Sequence, residues 1–341
     1  MHLYIVILKN MKKKLNLAAL LTLLLFCNFT IAETYKIAFG SCLDQEDPQP
    51  IWNSIKKENI NSFVFLGYNV YGDVPSGDLD FMKTAYAEQK KMLPNWLLKK
   101  DVNVIWDDHD FGINDGGSSY PFKSDAQKMY LDFWNVSQDD IRRYREGIYT
   151  NKILDIDGFK INLILLDTRY FRSDLEKTNG INSVYLKNIN PDATILGDDQ
   201  WSWLIKIINT EADLIIIATS IQLLATKHRF EKWSNFPKDH YKLKELLNFS
   251  NTPVLVISGD RHQGAIYKDK NFYEITSSSL NKTISKISRL GRPKETDPLM
   301  IGDMFSGENY GLISIDLDNK SYKIELKDIN GKVVRSQLIN L

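Results

Sequence analysis

Val102-Asn103-Val104-Ile105-Trp106-Asp107-Asp108-His109-Asp110 and Val254-Leu255-Val256-Ile257-Ser258-Gly259-Asp260-Arg261-His262 share one pattern: a short apolar run followed at once by carboxylates and a histidine. A run of four mostly apolar residues bounded by polar ones reads as a buried strand. Open α/β sheets gather their ligand-binding residues just past the carboxyl ends of such strands. Carboxylate oxygens beside imidazole nitrogens suit manganese, iron, zinc or calcium, and two clusters so far apart in sequence can meet only through the fold. Either string alone also reads as an ordinary strand-end turn with solvated acids. Together they favour a metal site.

Outward from these strings, strand-like and helix-like segments alternate, which predicts an α/β fold. The expected strands are Tyr35–Phe39, Ser62–Leu66, Val102–Ile105, Ile161–Leu166, Leu214–Ala218 and Val254–Ile257. The expected helices are Ile51–Lys57, Leu79–Leu98, Ser124–Trp134, Asp198–Ile208 and Tyr241–Phe249. In the fourth, acids open the first turn at the positive end of the dipole, and Trp201, Leu204 and Ile208 form one apolar face for the core. From Gly264 the pattern turns to short β segments, ending with Tyr310–Leu317, Tyr322–Leu326 and Val333–Leu341, which predicts a second sheet packed on the first. The irregular stretches 113–122, 174–194 and 282–307 are expected to rim the substrate mouth.

With 341 residues and 43% apolar content the chain can bury a large core, read here as one domain over 33–341. Residues 1–32 read as a secretory signal: Met11-Lys12-Lys13-Lys14, an apolar stretch from Leu15 to Cys27, and Thr30-Ile31-Ala32 before cleavage. Phe26 is too large for a lipoprotein cleavage box and there is no twin-arginine pair, so the expectation is a periplasmic or secreted protein without a stable membrane anchor. Four of the 43 Lys and Arg lie in that leader, leaving 39 bases against 43 acids. Nucleic-acid binding held by bulk charge is therefore not expected. Cys42 would be the lone thiol, either buried and inert or a metal ligand.

Further landmarks stand in order along the chain. They are Phe39-Gly40-Ser41-Cys42, Phe65-Leu66-Gly67, Val70-Tyr71-Gly72-Asp73, Leu165 to Arg172, Leu196-Gly197 with Gln200-Trp201-Ser202-Trp203-Leu204, and Glu274 to Ser278. With the two strings above, residues 35–317 resemble the alkaline phosphatase D (PhoD-like) branch of the calcineurin-like metallophosphoesterases. The resemblance implies a calcineurin-like two-sheet sandwich flanked by helices, in four layers α/β/β/α. It also implies hydrolysis of small phosphomonoesters or phosphodiesters in phosphate scavenging, at two metal ions, iron with calcium, zinc or manganese. Cys42, Tyr71, Asp108, Asp260 and His262 are the implied metal ligands. One landmark departs: Tyr68 follows Gly67 where the family carries the aspartate that bridges the two metals. Three readings stay open: a site with fewer metals and slower turnover, a protein that binds phosphate ligands without turnover, or an artefact of sequence, since Asp and Tyr codons differ by one base.

His109 directly follows Asp108, so it is cast as the proton donor to the leaving group, oriented by Asp107 or Asp110; a structural histidine is the alternative. Arg261, Arg169 and Arg172 are candidates to hold phosphate oxygens, with an internal ion pair at least as expected for one of the last two. Asn69 offers a neutral oxygen, and Asn114 is placed near the metal edge. Ser220 and Gln222 are read as supporting residues, His228 and His240 as structural or surface ones.

Overall fold

The computed structural model describes residues 34–180, 184–284 and 295–341. The expected leader and part of the 282–307 stretch lie outside the described residues. The first sheet begins with β1 (Tyr35–Gly40), β2 (Ser62–Leu66) and β3 (Asp101–Ile105), paired in parallel. It is completed by β11 (Asn309–Asp316), β12 (Ser321–Asp328) and β13 (Val333–Asn340), in the order β13-β12-β11-β1-β2-β3. The second sheet holds β4 (Thr150–Ile156), β5 (Phe159–Leu165), β6 (Leu214–Thr219), β7 (Val254–Ser258), β8 (Gly264–Lys268), β9 (Phe272–Ser277) and β10 (Met300–Phe305). Its order is β10-β8-β9-β7-β6-β5-β4.

Alternation along the strands builds the layers. Ile37, Phe39, Val64 and Leu66 face Leu163, Ile216, Leu255 and Ile275 in the core between the sheets. The intervening Ala38, Phe63 and Phe65 turn outward onto α1 (Trp52–Lys57), α2 (Asp80–Met92) and α4 (Lys123–Phe133), meeting Trp52, Tyr86 and Tyr130. On the far side Ile215, Ile217 and Val256 pack on Trp201 and Leu204 of α5 (Gly197–Ile207) and on Leu243 and Leu247 of α6 (Pro237–Asn248). A single-turn helix, α3 (Asp108–Phe111), follows β3 directly. The result is the expected four-layer α/β/β/α sandwich.

Several elements differ from the sequence reading. The three C-terminal strands do not make the second sheet; β11 pairs antiparallel with β1 and so extends the first. The expected helix over Leu79–Leu98 stops at Met92, because Leu93 precedes Pro94 and is extended at φ −66°, ψ 126°. Helix α6 starts four residues earlier than expected, at Pro237, whose fixed φ suits the first helical turn. Strand β4 lies outside the strands that the sequence pattern predicts. Its hairpin partner β5 is joined to it through Asp157 and Gly158, both at positive φ, and that Asp-Gly pair is the signal in the sequence.

The two remote histidines prove to be packed into the structure. Burial, aided by Lys244, pushes the His240 imidazole down to about 4, while its Nε2 sits 2.9 Å from the Leu223 carbonyl. The unfolded chain takes up this proton near pH 6.5 and the folded chain does not, so His240 withdraws stability as pH falls below 6.5. At pH 5 the loss is about 2 kcal/mol. Urea unfolding of His240→Gln should therefore show a pH 7.5 to pH 5 decline shallower than the unsubstituted protein by about that amount. Parallel declines would remove the assignment.

Candidate active site

The turns after β1, β2, β3 and β7 converge at one end of the sandwich. Cys42, Tyr68, Asp260 and His262 all lie in the left-handed region, with φ of 61, 52, 58 and 50°. That conformation costs a non-glycine residue about 1–2 kcal/mol, so the long-range packing holds these four against their local preference. Gly67 makes the crowding feasible: at φ +91° a Cβ there would stand 2.6 Å from that of Asp107. The Tyr68 carbonyl accepts from Leu43 N at 2.9 Å, tying the Cys42 turn to the Tyr68 turn.

One corner gathers Cys42, His262 and Tyr71. Ser278 Oγ accepts from the backbone N–H groups of Arg261 (2.6 Å) and His262 (2.9 Å), so its own proton points to Cys42 Sγ at 3.2 Å. His262 Nδ1 donates to the Lys282 carbonyl at 2.7 Å, which leaves Nε2 for Cys42. Burial alone would raise the Cys42 thiol, but His262 and the serine hydrogen bonds hold it below its ordinary value. Tyr71 Oη is buried there with no hydrogen-bond partner.

The other corner is acidic. Tyr68 Oη donates to Asp260 Oδ1 at 2.5 Å. Asp108 Oδ2 accepts from Asp115 N at 2.9 Å, while Asp108 Oδ1 and Asp107 Oδ2 are buried without partners. Burial, then Asp107 and Asp108, push the Asp260 carboxyl well above the usual range. Burial also lifts Asp107 to about 7, against the pull of Arg169. Like charges packed this closely need a proton or a cation between them.

His109 lies against both tyrosine rings, 4.6 Å from Tyr68 and 4.6 Å from Tyr71 between centroids. Its Nδ1 is 2.6 Å from Asp73 Oδ1. Burial opposes its charged form, yet Asp108 and Asp73 raise it to about 9. The orienting acid is thus Asp73, not Asp107 or Asp110. Asp107 is held by Arg169. Asp110 accepts from the backbone N–H groups of Tyr68 and Asn69, each at 3.2 Å, and so shapes the β2 turn. Asp73 stood in the Tyr71-Gly72-Asp73 string, so the sequence held the signal.

The internal ion pair expected for one of Arg169 and Arg172 is made by both. Arg169 and Arg172 are both 0% exposed. Arg169 pairs with Asp107 and, at 2.9 Å, with Glu231; Arg172 reaches Glu231 at 3.2 Å and the Asp115 and Gly116 carbonyls at 2.5 and 2.6 Å. Neither is free to hold a substrate phosphate. Glu231 lies within ion-pair distance of both, and no motif marked it. Arg261 does line the cleft, but its Nη2 pairs with Glu295 at 2.7 Å and its guanidinium lies 4.8 Å over Phe230. Asn69 Nδ2 bonds the Ile105 carbonyl and Asp110, and Asn114 lies on the cleft wall. Ser220 and Gln222 are fully buried, the first 2.5 Å from Thr168 Oγ1, the second donating to Thr276 Oγ1 at 2.8 Å. His228 is buried, and its Nδ1 accepts from Phe230 N at 3.2 Å.

Tyr68, Asp108, His109, Arg261, His262 and Lys282 open onto a cleft of about 470 Å3. Among the described residues no three His, Cys, Asp or Glu side chains form a ready cage for a metal ion. A cation at the Cys42–His262 corner would have Cys42, His262 and the unpartnered Tyr71 oxygen as its donors, with Asp260 on the Tyr68 side. These donors lack the bridge that would join a second cation to the first. No carboxylate occupies the bridging position, and the Tyr68 hydroxyl already takes an Asp260 oxygen.

The family model for PhoD-like phosphatases matches residues 101–324. The chain belongs to the PhoD-like phosphatase family. That stretch carries the Asp107–Asp110 and Asp260–His262 strings but begins beyond Cys42, Tyr68 and Tyr71, so the departure at Tyr68 lies outside it. Among solved structures, that of PhoD matches with a TM-score of 0.68 at 15% identity, over 90% of this chain and 68% of that one. GAP50, described as the anchor in the inner membrane complex of Plasmodium, matches with a TM-score of 0.61 at 14% identity, over 90% and 89%. Identities this low show the fold alone. A search of curated proteins gives no match.

Proposed function

We propose that this PhoD-like protein is an exported phosphoesterase working with one bound cation in place of the family's two, on small phosphomonoesters or phosphodiesters. The observation that carries the reading is the Tyr68 hydroxyl on Asp260 at 2.5 Å, beside a histidine already oriented by an acid. A cation at the Cys42–Tyr71–His262 corner would neutralise phosphoryl charge and lower the pKa of a bound water. His109 does the proton work. With Nδ1 committed to Asp73, its Nε2 is the atom left to protonate the departing oxygen. The basic and apolar leader over residues 1–32 supports export, and phosphate scavenging is the role that suits an exported phosphoesterase.

Metal content and hydrolysis of one monoester and one diester, measured on the same mature preparation, test the reading. About one equivalent of metal with measurable turnover is the expected result; two equivalents would overturn the role given to Tyr68. Metal without turnover of either ester would favour a phosphate-binding protein on this fold, the reading that the closed Asp260 oxygen also supports.

His262→Ala and Cys42→Ala should each abolish metal uptake while the circular dichroism spectrum is kept, since removing one ligand cripples a site without emptying the core. Undiminished metal in both variants would reject them as ligands.

A further inference from the structure

Away from the cleft, α4 and the segment from Asp140 to Gly147 enclose a hollow of about 430 Å3 whose charged lining is mostly basic: Lys128, Arg142, Arg143 and Arg145 against Glu146. We propose that it is a second anion site, one that takes a phosphate group, either free or carried on a polyanion. None of its lining residues is shared with the cleft.

The site is built, not merely charged. Buried Gln127 donates to the carbonyls of Arg142 (2.7 Å) and Arg145 (2.8 Å) and accepts from Gly147 N at 2.9 Å. One amide thereby fixes the loop that carries the three arginines. Two of the neighbouring acids are already paired. Asp140 receives Arg142 through Nε and Nη2 at 2.9 and 2.7 Å, and Asp132 receives Arg143 at 2.7 Å. Glu146 Oε1 lies 3.4 Å from Tyr170 Oη.

Two cations are left over. Among the described residues no carboxylate lies within ion-pair distance of Lys128 or Arg145. The Arg145 guanidinium stacks 3.6 Å over the Tyr149 ring, Nη2 donates to the Tyr149 carbonyl, and its buried Nε has no partner. A guanidinium set on an aromatic face, with Asp140 and Asp167 acting on it only from beyond ion-pair contact, has lost part of its hydration for little charge in return. Phosphate supplies that charge: its oxygens accept the planar fork, and its second negative charge suits the ammonium of Lys128. Because the mature chain is mildly acidic, this is a local receptor and not bulk attraction.

Hydrogen exchange of the whole mature chain, with orthophosphate in one arm and soluble polyphosphate in the other, tests the assignment. Orthophosphate should slow exchange over residues 140–147, and Arg145→Gln or Lys128→Gln should each raise the half-saturating concentration by about tenfold, the loss of one charge-assisted contact. Hydrolysis of a small ester should be unchanged in both variants, so failure here is separable from failure of the proposed activity. Protection by polyphosphate alone would assign the site to a polymer's phosphates. No protection in either arm, or equal protection in both variants, would overturn the proposal, as would protection by single-stranded nucleic acid where polyphosphate gives none.

Discussion

Replacing His109 with alanine will lower turnover of an ester with a poor leaving group by roughly 10²–10⁴-fold, the worth of a positioned general acid. A leaving group that departs without protonation should lose far less. The geometry gives the reason. The ring is fixed by Asp73 at 2.6 Å on one nitrogen and by two tyrosine faces at 4.6 Å, so its other nitrogen has one direction to serve. Asp73→Asn should give a smaller loss with the same dependence on the leaving group, because it loosens the orientation while keeping the donor. Equal losses for good and poor leaving groups in His109→Ala would mean that the residue supports the loop or holds the cation.

Tyr68→Asp should raise bound metal from about one equivalent toward two and increase turnover by an order of magnitude or more, since paired cations stabilise both the attacking and the leaving oxygen. The backbone favours this change. At φ 52° aspartate is more at home than tyrosine, because its short side chain tolerates the left-handed region. Tyr68→Phe is the control: it frees the Asp260 oxygen without adding a carboxylate, and should leave metal near one equivalent with no gain in rate. If Tyr68→Asp changes neither metal nor rate in a protein that already turns over esters, the phenol is an adequate substitute and the one-cation reading fails.

Much of the site was legible because its residues follow strands whose apolar runs are unmistakable. Val102–Ile105 and Val254–Ile257 announce where the chain ends a strand, and the charged strings after them therefore sit at the sheet's rim. Glu231 was not legible. It lies in a loop with no periodicity, and its meaning comes only from two buried arginines that the fold brings to it. Asp73 was half legible: it ends the Val70-Tyr71-Gly72-Asp73 string, but nothing in local spacing says that the turn after β2 will lay it against His109.

The sequence by itself determined the alternation of strands and helices, the strand ends and the chemistry available there, since side-chain alternation and turn residues act over a few positions and leave their mark locally. Tertiary structure decided which charges meet. Tyr68 reaches Asp260 across 192 residues, Arg169 closes on Asp107 across 62, and β11 joins β1 and not a sheet of its own. Such choices follow from burial: once a carboxylate or guanidinium is out of water it must take a partner within a few ångströms, and only the packed fold fixes which partner that is.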